Sequence, residues 1–521
     1  MPAIGVIRVR LQPSVPAIGA IRPILPCVTE RFQNLIGGER RDARSGQTFE
    51  DRNPAHRDDL IGLFPRSAAD DVGDAVAAAR KAFAAWRRTP PPARCAILLE
   101  AARLLRRRKE ELARTMTREM GKVLEEARGD VQEAIDMAEF ASGLGRRPNG
   151  EAIPSELPDK FCFTWREPVG VVGLVTPWNF PIAVPSWKLL PALAAGNTIV
   201  WKPAEDTPLC ALRLVETLLE AGLPEGVINI VTGFGPEAGA PLVAHPEVDC
   251  VSFTGSTAVG RQIGEICGRD LRRCGLELGG KNGIVVLADA DLELAVDGAV
   301  WGGFGTSGQR CTATSRVIVD RRLVDDFVGA LQARAESLRI GDGLQEGVQV
   351  GPIINEKQLR RVDSYTSVAR EEGAQVVTGG RTLTDGGLAE GWFYAPTIFA
   401  GVEPGMRVAR EEIFGPSVSV LTAGGLEEAL RVANDTAYGL SLSVYTNDVR
   451  RAFTAIRELQ SGIVYVNAPT IGAEIQLPFG GVKNTGNGHR EAGSTLIDEF
   501  TEWKSVYIDY SGRLQRAQID T

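Results

Sequence analysis

The chain has 521 residues, of which 44% are hydrophobic and 24% charged, and its formal net charge is −8. This length exceeds one ordinary domain, so we expect two or three. The negative charge gives no electrostatic basis for binding nucleic acid or an anionic membrane, and no run of about 18 uninterrupted apolar residues predicts a membrane span.

The eight cysteines and three histidines are scattered through the chain. No two cysteines form a C-x-x-C pair, and no two histidines have the spacing of paired metal ligands. These patterns argue against a disulfide framework and against a bound metal. They favour reduced thiols in a cytoplasmic protein.

The first 28 residues differ in composition from the rest. A Pro-Ala-Ile-Gly-x-Ile-Arg sequence occurs at Pro2–Arg8 and again at Pro16–Arg22, and the segment carries no acidic residue. A targeting peptide is one interpretation, but no long apolar segment or cleavage site is visible. We expect residues 1–28 to be a disordered extension, or the product of an upstream start codon.

Helical periodicity dominates from Asp71 to about Arg147. One helix begins at Asp71, a long amphipathic stretch covers Ala93–Gly121, and another helix runs from Leu124 to about Leu144 and ends at Gly145. Apolar residues at helix spacing followed by a glycine are typical of helices and their ends.

The pattern then changes to short apolar strands that alternate with helices. Predicted strands are Val169–Thr176, Thr198–Lys202, Gly226–Val231 and Asp249–Thr254, and predicted helices are Pro208–Ala221, Pro236–Ala244 and Ser256–Cys267. Such alternation predicts a parallel sheet with right-handed crossovers. Doubly wound sheets bind nucleotides at the carboxyl ends of their strands.

A second alternation of strands and helices follows and continues to about Val466. Its first elements are predicted at Gly283–Leu287, Leu292–Thr306, Arg316–Val319 and Val324–Leu338. Phe161–Glu167 and Val506–Tyr510 look like exposed strands outside both sheets. They fit either a hairpin arm that pairs with another subunit or unpaired loops.

Cys311 ends the motif Gly308-Gln309-Arg310-Cys311. A single cysteine is most often a small buried hydrophobic residue. A deprotonated cysteine, however, attacks carbonyl carbon well, and the adjacent Arg310 could favour the thiolate.

Glu277 lies at the end of an apolar strand and is followed by Leu278-Gly279-Gly280. Burial there would raise the pKa of its carboxyl group and suit it to general-base catalysis. A helix cap or a salt bridge is the alternative.

Asn179 follows a predicted buried strand, in Pro177-Trp178-Asn179-Phe180-Pro181. Its amide N–H could donate to a developing oxyanion. Asparagine and proline are also common turn residues, so a structural turn is the alternative.

Lys202 and Glu205 follow another strand at the same sheet edge. A carboxylate there could accept hydrogen bonds from both ribose hydroxyls and repel a 2′-phosphate, which favours NAD over NADP. An ordinary surface ion pair is the alternative.

Two glycine-containing segments follow strands, Phe253–Gly260 and Gly233–Gly239. The backbone N–H groups at the helix start after Gly255 could bind a pyrophosphate. The second segment misses the G-x-G-x-x-G spacing by one residue, and either segment alone is weak evidence.

Taken together, these motifs resemble those of the aldehyde dehydrogenase superfamily from about Phe32 to Tyr510. The segments that carry the resemblance are Pro177–Phe180, Phe253–Thr257, Leu276–Gly280, Gly308–Cys311, Glu412–Pro416 and Pro478–Gly481. As an ordered set they are highly specific.

The resemblance implies an NAD(P)-dependent enzyme with a covalent mechanism. Cys311 would form a thiohemiacetal, Asn179 and the Cys311 backbone N–H would bind the oxyanion, and hydride would pass to the nicotinamide. Glu277 would then activate water to hydrolyse the thioester, and Lys202 joins these residues as an implied catalytic group. NAD is the favoured cofactor, and NADP is the alternative.

The resemblance also implies a cofactor site. Lys202 and Glu205 would bind the adenosine ribose, Glu412 would bind the nicotinamide ribose, and Phe414 would pack near the nicotinamide. The other implied cofactor residues are Val175, Pro177, Trp178, Gly235, Gly239, Phe253, Gly255, Ser256, Val259 and Leu278.

The implied architecture is α/β, with two doubly wound α/β domains and a β oligomerisation arm. The dinucleotide-binding domain would comprise 29–146 and 168–276, the catalytic domain 277–480, and the arm 147–167 and 499–515. Homodimers or homotetramers are expected.

The implied substrate is an aldehyde, and four residues are candidates to contact it. Phe180 and Trp187 would wall an apolar tunnel, and Arg310 could bind a substrate carboxylate bidentately. Arg310 could equally pair with a carboxylate of the protein or face another subunit. Glu133 could meet a substrate ammonium.

Two groups within the superfamily share local sequence with this chain. Gly308–Val319 and Phe161–Trp187 look like α-ketoglutaric semialdehyde dehydrogenases, whereas Gly472–Ile475 and Asp130–Glu133 look like α-aminoadipic semialdehyde dehydrogenases. A semialdehyde that bears a carboxylate is therefore the hypothesis, and a general aliphatic or aromatic aldehyde is an alternative.

Two further classes of function remain open. A coenzyme A-acylating dehydrogenase would need no strong water-activating base, so Glu277 argues against it. A catalytically silent structural protein on the same fold is disfavoured because Cys311, Glu277 and Asn179 are all present.

Overall fold

The computed structural model describes residues 29–147 and 149–520. The predicted extension at residues 1–28 lies outside the described residues. Within the described ranges, no helix is both long enough and apolar enough to cross a membrane.

The strands, in chain order, are β1 (Asn34–Ile36), β2 (Glu39–Arg41), β3 (Thr48–Arg52), β4 (Leu60–Pro65), β5 (Ala152–Ile153), β6 (Lys160–Pro168), β7 (Val171–Val175), β8 (Thr198–Lys202), β9 (Ile228–Ile230), β10 (Cys250–Thr254), β11 (Arg273–Glu277), β12 (Asn282–Val286), β13 (Thr314–Asp320), β14 (Gln375–Thr378), β15 (Thr397–Ala400), β16 (Ser417–Ala423), β17 (Tyr438–Gly439), β18 (Ser441–Tyr445), β19 (Ile463–Val466), β20 (Val482–Lys483) and β21 (Thr501–Asp509).

The α-helices are α1 (Ala69–Trp86), α2 (Pro91–Arg107), α3 (Lys109–Met120), α4 (Leu124–Ser142), α5 (Ala183–Ala195), α6 (Pro208–Glu220), α7 (Ala240–Ala244), α8 (Thr257–Arg269), α9 (Leu292–Phe304), α10 (Val324–Ser337), α11 (Glu356–Glu371), α12 (Arg407–Arg410), α13 (Leu426–Asn434) and α14 (Val449–Glu458). Short 3₁₀ turns follow α4, at Gly143–Arg146, and α9, at Gly305–Gly308.

The first large sheet has the strand order β11-β10-β7-β8-β9-β1-β2. Strands β11, β10, β7, β8 and β9 are parallel, whereas β1 and β2 add an antiparallel edge. The central strands are fully buried apolar runs, as expected for a parallel sheet covered by helices on both faces. The parallel strands all end at the same edge, which brings their following loops together.

The second large sheet has the order β14-β15-β16-β13-β12-β18-β19. Its strands are parallel except for β14, which pairs antiparallel with β15. The predicted pair of doubly wound α/β units is therefore confirmed.

A separate three-stranded antiparallel sheet has the order β21-β6-β5. Strand β21 pairs with β6 along its full length, from Thr501 opposite Pro168 to Asp509 opposite Lys160. Trp165, Trp503 and Tyr507 are each about half or more exposed on it. The two exposed strands predicted from the sequence do pair with each other.

The structure corrects two predicted helices. The stretch Ala93–Gly121 is two helices, because the backbone of Arg108 leaves the helical conformation and its side chain contacts Thr217 and Glu220 on α6. The helix predicted at Leu292–Thr306 ends at Phe304.

Candidate active site

The nucleophile loop follows helix α9 and is held in an unusual backbone conformation. Thr306 and Ser307 have positive φ angles of 51° and 55°. The Thr306 N–H donates to Glu126 Oε1 at 2.8 Å, and Ser307 Oγ donates to the Gly351 carbonyl at 2.7 Å. These buried contacts offset the backbone strain and fix the position of the residues that follow.

Cys311 lies immediately after this loop, and its backbone is anchored. Asn282 Nδ2 donates to the Cys311 carbonyl oxygen at 2.7 Å. Gly280 passes so close that a Cβ there would lie 2.4 Å from the same oxygen. The second sheet therefore positions Cys311, because Asn282 begins β12.

The thiol opens into a cavity of about 140 Å³ that also contains Glu277. The cavity is lined mainly by apolar and aromatic side chains, with a few polar groups between them, which is the usual composition of a small-molecule site. Its lining includes Phe180, Val184, Trp187, Leu278, Thr312, Leu440, Ile471, Phe479 and Glu491.

Burial raises the pKa of the Cys311 thiol to about 12, and the nearby Glu412 and Glu277 carboxyl groups add to that effect. Arg310, which the sequence suggested as a group that could favour the thiolate, is not among the groups that act most strongly on this thiol. Arg310 forms an ion pair with Glu126 at 3.0 Å. The groups that do stabilise the thiolate are the backbone N–H groups of Thr312 and Cys311.

Glu277 ends strand β11, and its side chain is only 3% exposed. Burial raises the pKa of its carboxyl group well above the usual range, and the negative charge of Glu491 raises it further. Its Oε1 atom has no hydrogen-bond partner among the described residues. A buried carboxyl group that lines the cavity and has a raised pKa suits proton transfer to and from a bound molecule.

Asn179 lies in the loop after β7 and is 4% exposed. Its Nδ2 donates to the Gln309 carbonyl oxygen at 3.1 Å, two residues before the nucleophile. This contact places the side-chain amide beside the Cys311 loop, as the oxyanion role requires. Among the described residues, this amide nitrogen donates no second hydrogen bond.

Lys202 and Glu205 form an ion pair of 2.9 Å at the carboxyl end of β8. The Lys202 side chain is 3% exposed and that of Glu205 is 36% exposed, so the carboxylate faces outward. Gly239 lies against the Lys202 side chain, whereas Gly235 is half-buried at the start of the same turn. Val175 is the last residue of β7 and lies at the same sheet edge.

The first turn of helix α8 lies beside the same edge. Ser256 caps the helix, because its Oγ accepts a hydrogen bond from the Val259 N–H at 3.4 Å. A Cβ on Gly255 would lie 2.4 Å from the ring of Phe253, so a side chain there would require the ring to move. Val259 is exposed.

Glu412 and Phe414 approach this edge from the second sheet. Glu412 Oε1 accepts a hydrogen bond from the Gly280 N–H at 2.9 Å. Phe414 has a positive φ of 63°, and its ring meets the half-buried Trp178 edge-on at 5.5 Å between centroids. Pro177 is half-buried beside Trp178, and Leu278 packs closely against Gly260.

A second cavity of about 630 Å³ adjoins the first. Phe180, Arg310 and Glu133 line both cavities, so they lie where the two meet. Trp187 lines only the inner cavity, where it packs edge-on against Phe479 at 5.1 Å.

Arg310 and Glu133 lie in a cluster of charged side chains at this junction. Arg310 donates from Nε to Thr306 and from Nη2 to Glu126, and its Nη1 makes no hydrogen bond among the described residues. Burial raises the pKa of Glu133 to about 8, and the neighbouring Asp130 contributes to the shift.

Several site residues were missed from the sequence. Lys122 pairs with Asp130 at 2.8 Å, and its ammonium lies 3.8 Å from the ring centre of Phe180. Lys188 is fully buried and pairs with Glu491. A single lysine in the otherwise apolar helix α5 was a visible signal for this pair.

The aldehyde dehydrogenase family model matches residues 41–506. The chain belongs to the aldehyde dehydrogenase family. It is therefore an oxidoreductase of the class that oxidises aldehydes with a nicotinamide dinucleotide, as the sequence motifs predicted. Within the described ranges, no group of three or more His, Cys, Asp and Glu side chains is arranged to hold a metal ion.

Two curated relatives are similar over almost their entire length. The chain is 42% identical to an α-ketoglutaric semialdehyde dehydrogenase of Bacillus subtilis, over 92% of this chain and 99% of the relative. It is also 42% identical to a 2,5-dioxopentanoate dehydrogenase of Saccharolobus solfataricus, over 89% of this chain and 96% of the relative.

A solved structure is similar in fold. The betaine aldehyde dehydrogenase of Staphylococcus aureus, in complex with NAD⁺, superposes with a TM-score of 0.90 at 35% identity. The match covers 92% of this chain and 95% of that one.

Proposed function

We propose that this aldehyde dehydrogenase oxidises a semialdehyde that bears a carboxylate, with α-ketoglutaric semialdehyde as the favoured substrate and NAD as the cofactor. The observation that carries the proposal is the junction of the two cavities. There Arg310 Nη1, which makes no hydrogen bond among the described residues, lies beside Phe180 and Glu133, where the outer cavity meets the inner cavity that contains Cys311. The 42% identity to relatives named for this substrate supports the same assignment.

The first step is attack of the Cys311 thiol on the aldehyde carbon. With a pKa of about 12, this thiol is almost fully protonated near pH 7, so the attack requires a base. Glu277 lines the same cavity and can take that proton. Asn179 Nδ2 and the Cys311 N–H donate to the oxygen that becomes negative in the thiohemiacetal.

The dinucleotide would occupy the carboxyl edge of the first sheet. The outward-facing Glu205 carboxylate suits a ribose diol, and it would repel a 2′-phosphate, which favours NAD over NADP. A cleft of about 560 Å³ lies next to the start of α8 and is lined by Thr257, Arg361 and Glu412. Helix N–H groups and an arginine suit a pyrophosphate. Bound there, NAD would accept the hydride that leaves the thiohemiacetal.

Water then cleaves the thioester on Cys311. Glu277 must first release the proton that it took from the thiol, and its carboxylate then removes a proton from the attacking water. The tetrahedral intermediate collapses, the Cys311 thiolate leaves and is reprotonated, and the carboxylic acid forms. Because a carboxyl group able to activate water, that of Glu277, lines the same cavity as Cys311, hydrolysis is favoured over transfer of the acyl group to coenzyme A.

We further propose that 29–146 with 168–276 form the dinucleotide-binding domain, that 277–480 form the catalytic domain, and that 147–167 with 499–515 form an arm. The exposed aromatic side chains on the β21-β6-β5 sheet would pair with another copy of the chain in a cytoplasmic homodimer or homotetramer. Seven free cysteines in the described residues fit a reducing compartment.

The test of substrate is a comparison of kcat/KM for α-ketoglutaric semialdehyde, α-aminoadipic semialdehyde and hexanal, each with NAD and with NADP. Arg310→Gln should lower kcat/KM for α-ketoglutaric semialdehyde by about tenfold or more, because a charge-assisted hydrogen bond is lost, and leave hexanal little changed. Arg322→Gln, which changes an exposed arginine paired with Asp320, is the matched control. A wild-type preference for hexanal would contradict the proposal.

The nucleophile assignment has its own test. Cys311→Ala should abolish NADH formation with every aldehyde, because no thiohemiacetal can form. Cys162→Ala, on the arm strand β6, is the control and should remain active. Residual activity in Cys311→Ala near the wild-type level would contradict the mechanism.

A further inference from the structure

A buried lysine and a buried aspartate form an ion pair beside the loop 176–182, which joins β7 to α5 and carries Asn179. Lys122 lies in the turn between helices α3 and α4, and Asp130 lies on α4. Both side chains are 0% exposed, and Lys122 Nζ donates to Asp130 Oδ2 at 2.8 Å. Removing two charges from water is unfavourable unless each is paired and hydrogen-bonded, and both charges have further contacts with this loop and helix.

The Asp130 carboxylate holds the first turn of helix α5. Its other oxygen, Oδ1, accepts a hydrogen bond from the Ala183 N–H at 2.6 Å. Ala183 is the first residue of α5, and the first N–H groups of a helix have no carbonyl partner within it. A negative charge at this end also interacts favourably with the helix dipole. Asp130 therefore fixes the end of the loop 176–182 that leads into α5.

The Lys122 ammonium holds the middle of the same loop. It lies 3.8 Å from the ring centre of Phe180, the residue that follows Asn179. A cation over an aromatic ring is attracted to it, and the attraction is stronger where water is excluded. Asn179 therefore lies between β7, which is fixed within the first sheet, and an aromatic ring that is held by the ion pair.

The segment that contains Lys122 also packs against the backbone that supports the nucleophile loop. A Cβ on Gly351 would lie 2.0 Å from the carbonyl oxygen of Gly121, so these two backbones are in close contact. The Gly351 carbonyl in turn accepts the hydrogen bond from Ser307 Oγ. One short segment therefore contacts both the loop that carries Asn179 and the chain that fixes the nucleophile loop.

The oxyanion role proposed for Asn179 depends on accurate placement of its side chain. One N–H of the amide donates to the Gln309 carbonyl oxygen at 3.1 Å, which keeps the amide beside the nucleophile. The other N–H must reach the oxygen that becomes negative when Cys311 attacks. Because a displacement of about 1 Å can cost about 10²-fold in rate, the contacts that hold this loop affect the chemistry.

We propose that Lys122 and Asp130 are positioning residues that hold the Asn179 amide in place for oxyanion binding. Neither side chain lines the inner cavity that contains Cys311, so both act through the loop 176–182. Apolar side chains of similar volume would serve packing alone. The ion pair adds direction, because its carboxylate must face the Ala183 N–H while its ammonium faces the aromatic ring. This role rests on the oxyanion function proposed for Asn179.

The experiment measures the NADH burst of the full-length enzyme with NAD and saturating hexanal, an uncharged aldehyde. The double variant Lys122→Met/Asp130→Asn removes both charges, leaves the net charge beside the cavities unchanged, and keeps an oxygen for the Ala183 N–H. Its burst rate should fall by about tenfold to 10²-fold, the effect of misplacing a stabilising group by up to about 1 Å, whereas KM should change little. Lys109→Met, which removes a lysine that joins α3 to α4 through Gln132, is the control and should keep the wild-type burst.

A double-mutant cycle with Asn179→Ala separates positioning from a general structural role. If the pair acts through Asn179, adding Lys122→Met/Asp130→Asn to Asn179→Ala should lower the burst rate no further, because the amide is already absent. Asp130→Asn alone gives the same comparison if the double variant does not fold. Fully additive losses, or a wild-type burst in the variants of the pair, would overturn the inference and leave Asn179 in its role. A wild-type burst in Asn179→Ala would instead overturn the oxyanion function, and the inference with it.

Discussion

Arg310 and Glu126 form an ion pair of 3.0 Å between the residue that precedes the nucleophile and the first turn of helix α4. Glu126 Oε1 also accepts the N–H of Thr306, whose backbone has a positive φ. One buried carboxylate therefore sets both the shape of the nucleophile loop and the net charge at the cavity junction. The negative charge reduces the attraction of Arg310 for a substrate carboxylate.

Glu126→Gln should separate these two roles. The glutamine can still accept the Thr306 N–H, but the charge is gone, so KM for α-ketoglutaric semialdehyde should fall by up to about tenfold, the effect of one unit charge at this distance in a partly solvated site. KM for hexanal should not change. Glu139→Gln, which changes a carboxylate on the same helix that is paired with Arg106 and lines neither cavity, is the control. An equal change for both aldehydes would contradict the electrostatic explanation.

Glu277→Gln should separate the formation of the thioester, which yields NADH, from its hydrolysis. Glutamine cannot take a proton from water, so the thioester should accumulate after a burst of NADH, and steady-state turnover should fall by about 10² to 10⁴. Stopped-flow absorbance with the full-length enzyme gives both quantities. Added coenzyme A should not restore turnover. Full steady-state turnover in this variant would remove Glu277 as the base.

The sequence predicted the parts of the site that rest on local patterns. Glu277 ends β11 and Asn179 follows β7, and the parallel sheet brings these strand ends to one edge, whereas Cys311 follows the glycine turn after α9. Their charged partners come from far along the chain. Arg310 and Glu126 are 184 residues apart, and Lys188 and Glu491 are 303 residues apart. No local periodicity contains such a pairing, so the true environment of Arg310 could not be read from its neighbours.

Glu133 should make substrate preference depend on pH. Burial and the neighbouring Asp130 raise the pKa of its carboxyl group to about 8, so it is neutral below that pH and negative above it. A negative Glu133 beside Arg310 would repel a substrate carboxylate. The ratio of kcat/KM for α-ketoglutaric semialdehyde to that for hexanal should therefore fall as pH rises from 7 to 9.

Glu133→Gln tests whether the Glu133 charge causes this pH dependence, because the glutamine side chain does not ionise between pH 7 and 9. The ratio should become independent of pH and stay near its value at pH 7. For α-aminoadipic semialdehyde, whose ammonium would be attracted by a negative Glu133, the wild-type ratio should change in the opposite direction. The expectation fails if the wild-type and Glu133→Gln profiles coincide for all three aldehydes.

Gly308 should be essential to the close contact between the nucleophile loop and the segment around Gly415. Its φ is +65°, which a residue with a side chain adopts only at a cost of roughly 1–2 kcal/mol. A Cβ at this position would lie 2.1 Å from the carbonyl oxygen of Gly415, which is backbone and cannot rotate away. The Gly415 segment carries Glu412 and Phe414, so a side chain at Gly308 would push the nucleophile loop and the proposed nicotinamide ribose site apart.

Gly308→Ala should therefore lower Tm by a few degrees and weaken NAD binding, measured by thermal unfolding with and without NAD. The stabilisation that NAD gives should shrink, because ligand stabilisation depends on the ratio of ligand concentration to Kd. Gly329→Ala is the control, because Gly329 lies on the exposed face of helix α10 with no atom within 4 Å of a Cβ. That change should leave Tm unchanged or slightly higher, since alanine favours helix. Equal Tm and equal NAD stabilisation in the two variants would show that the Gly308–Gly415 contact does not constrain the site.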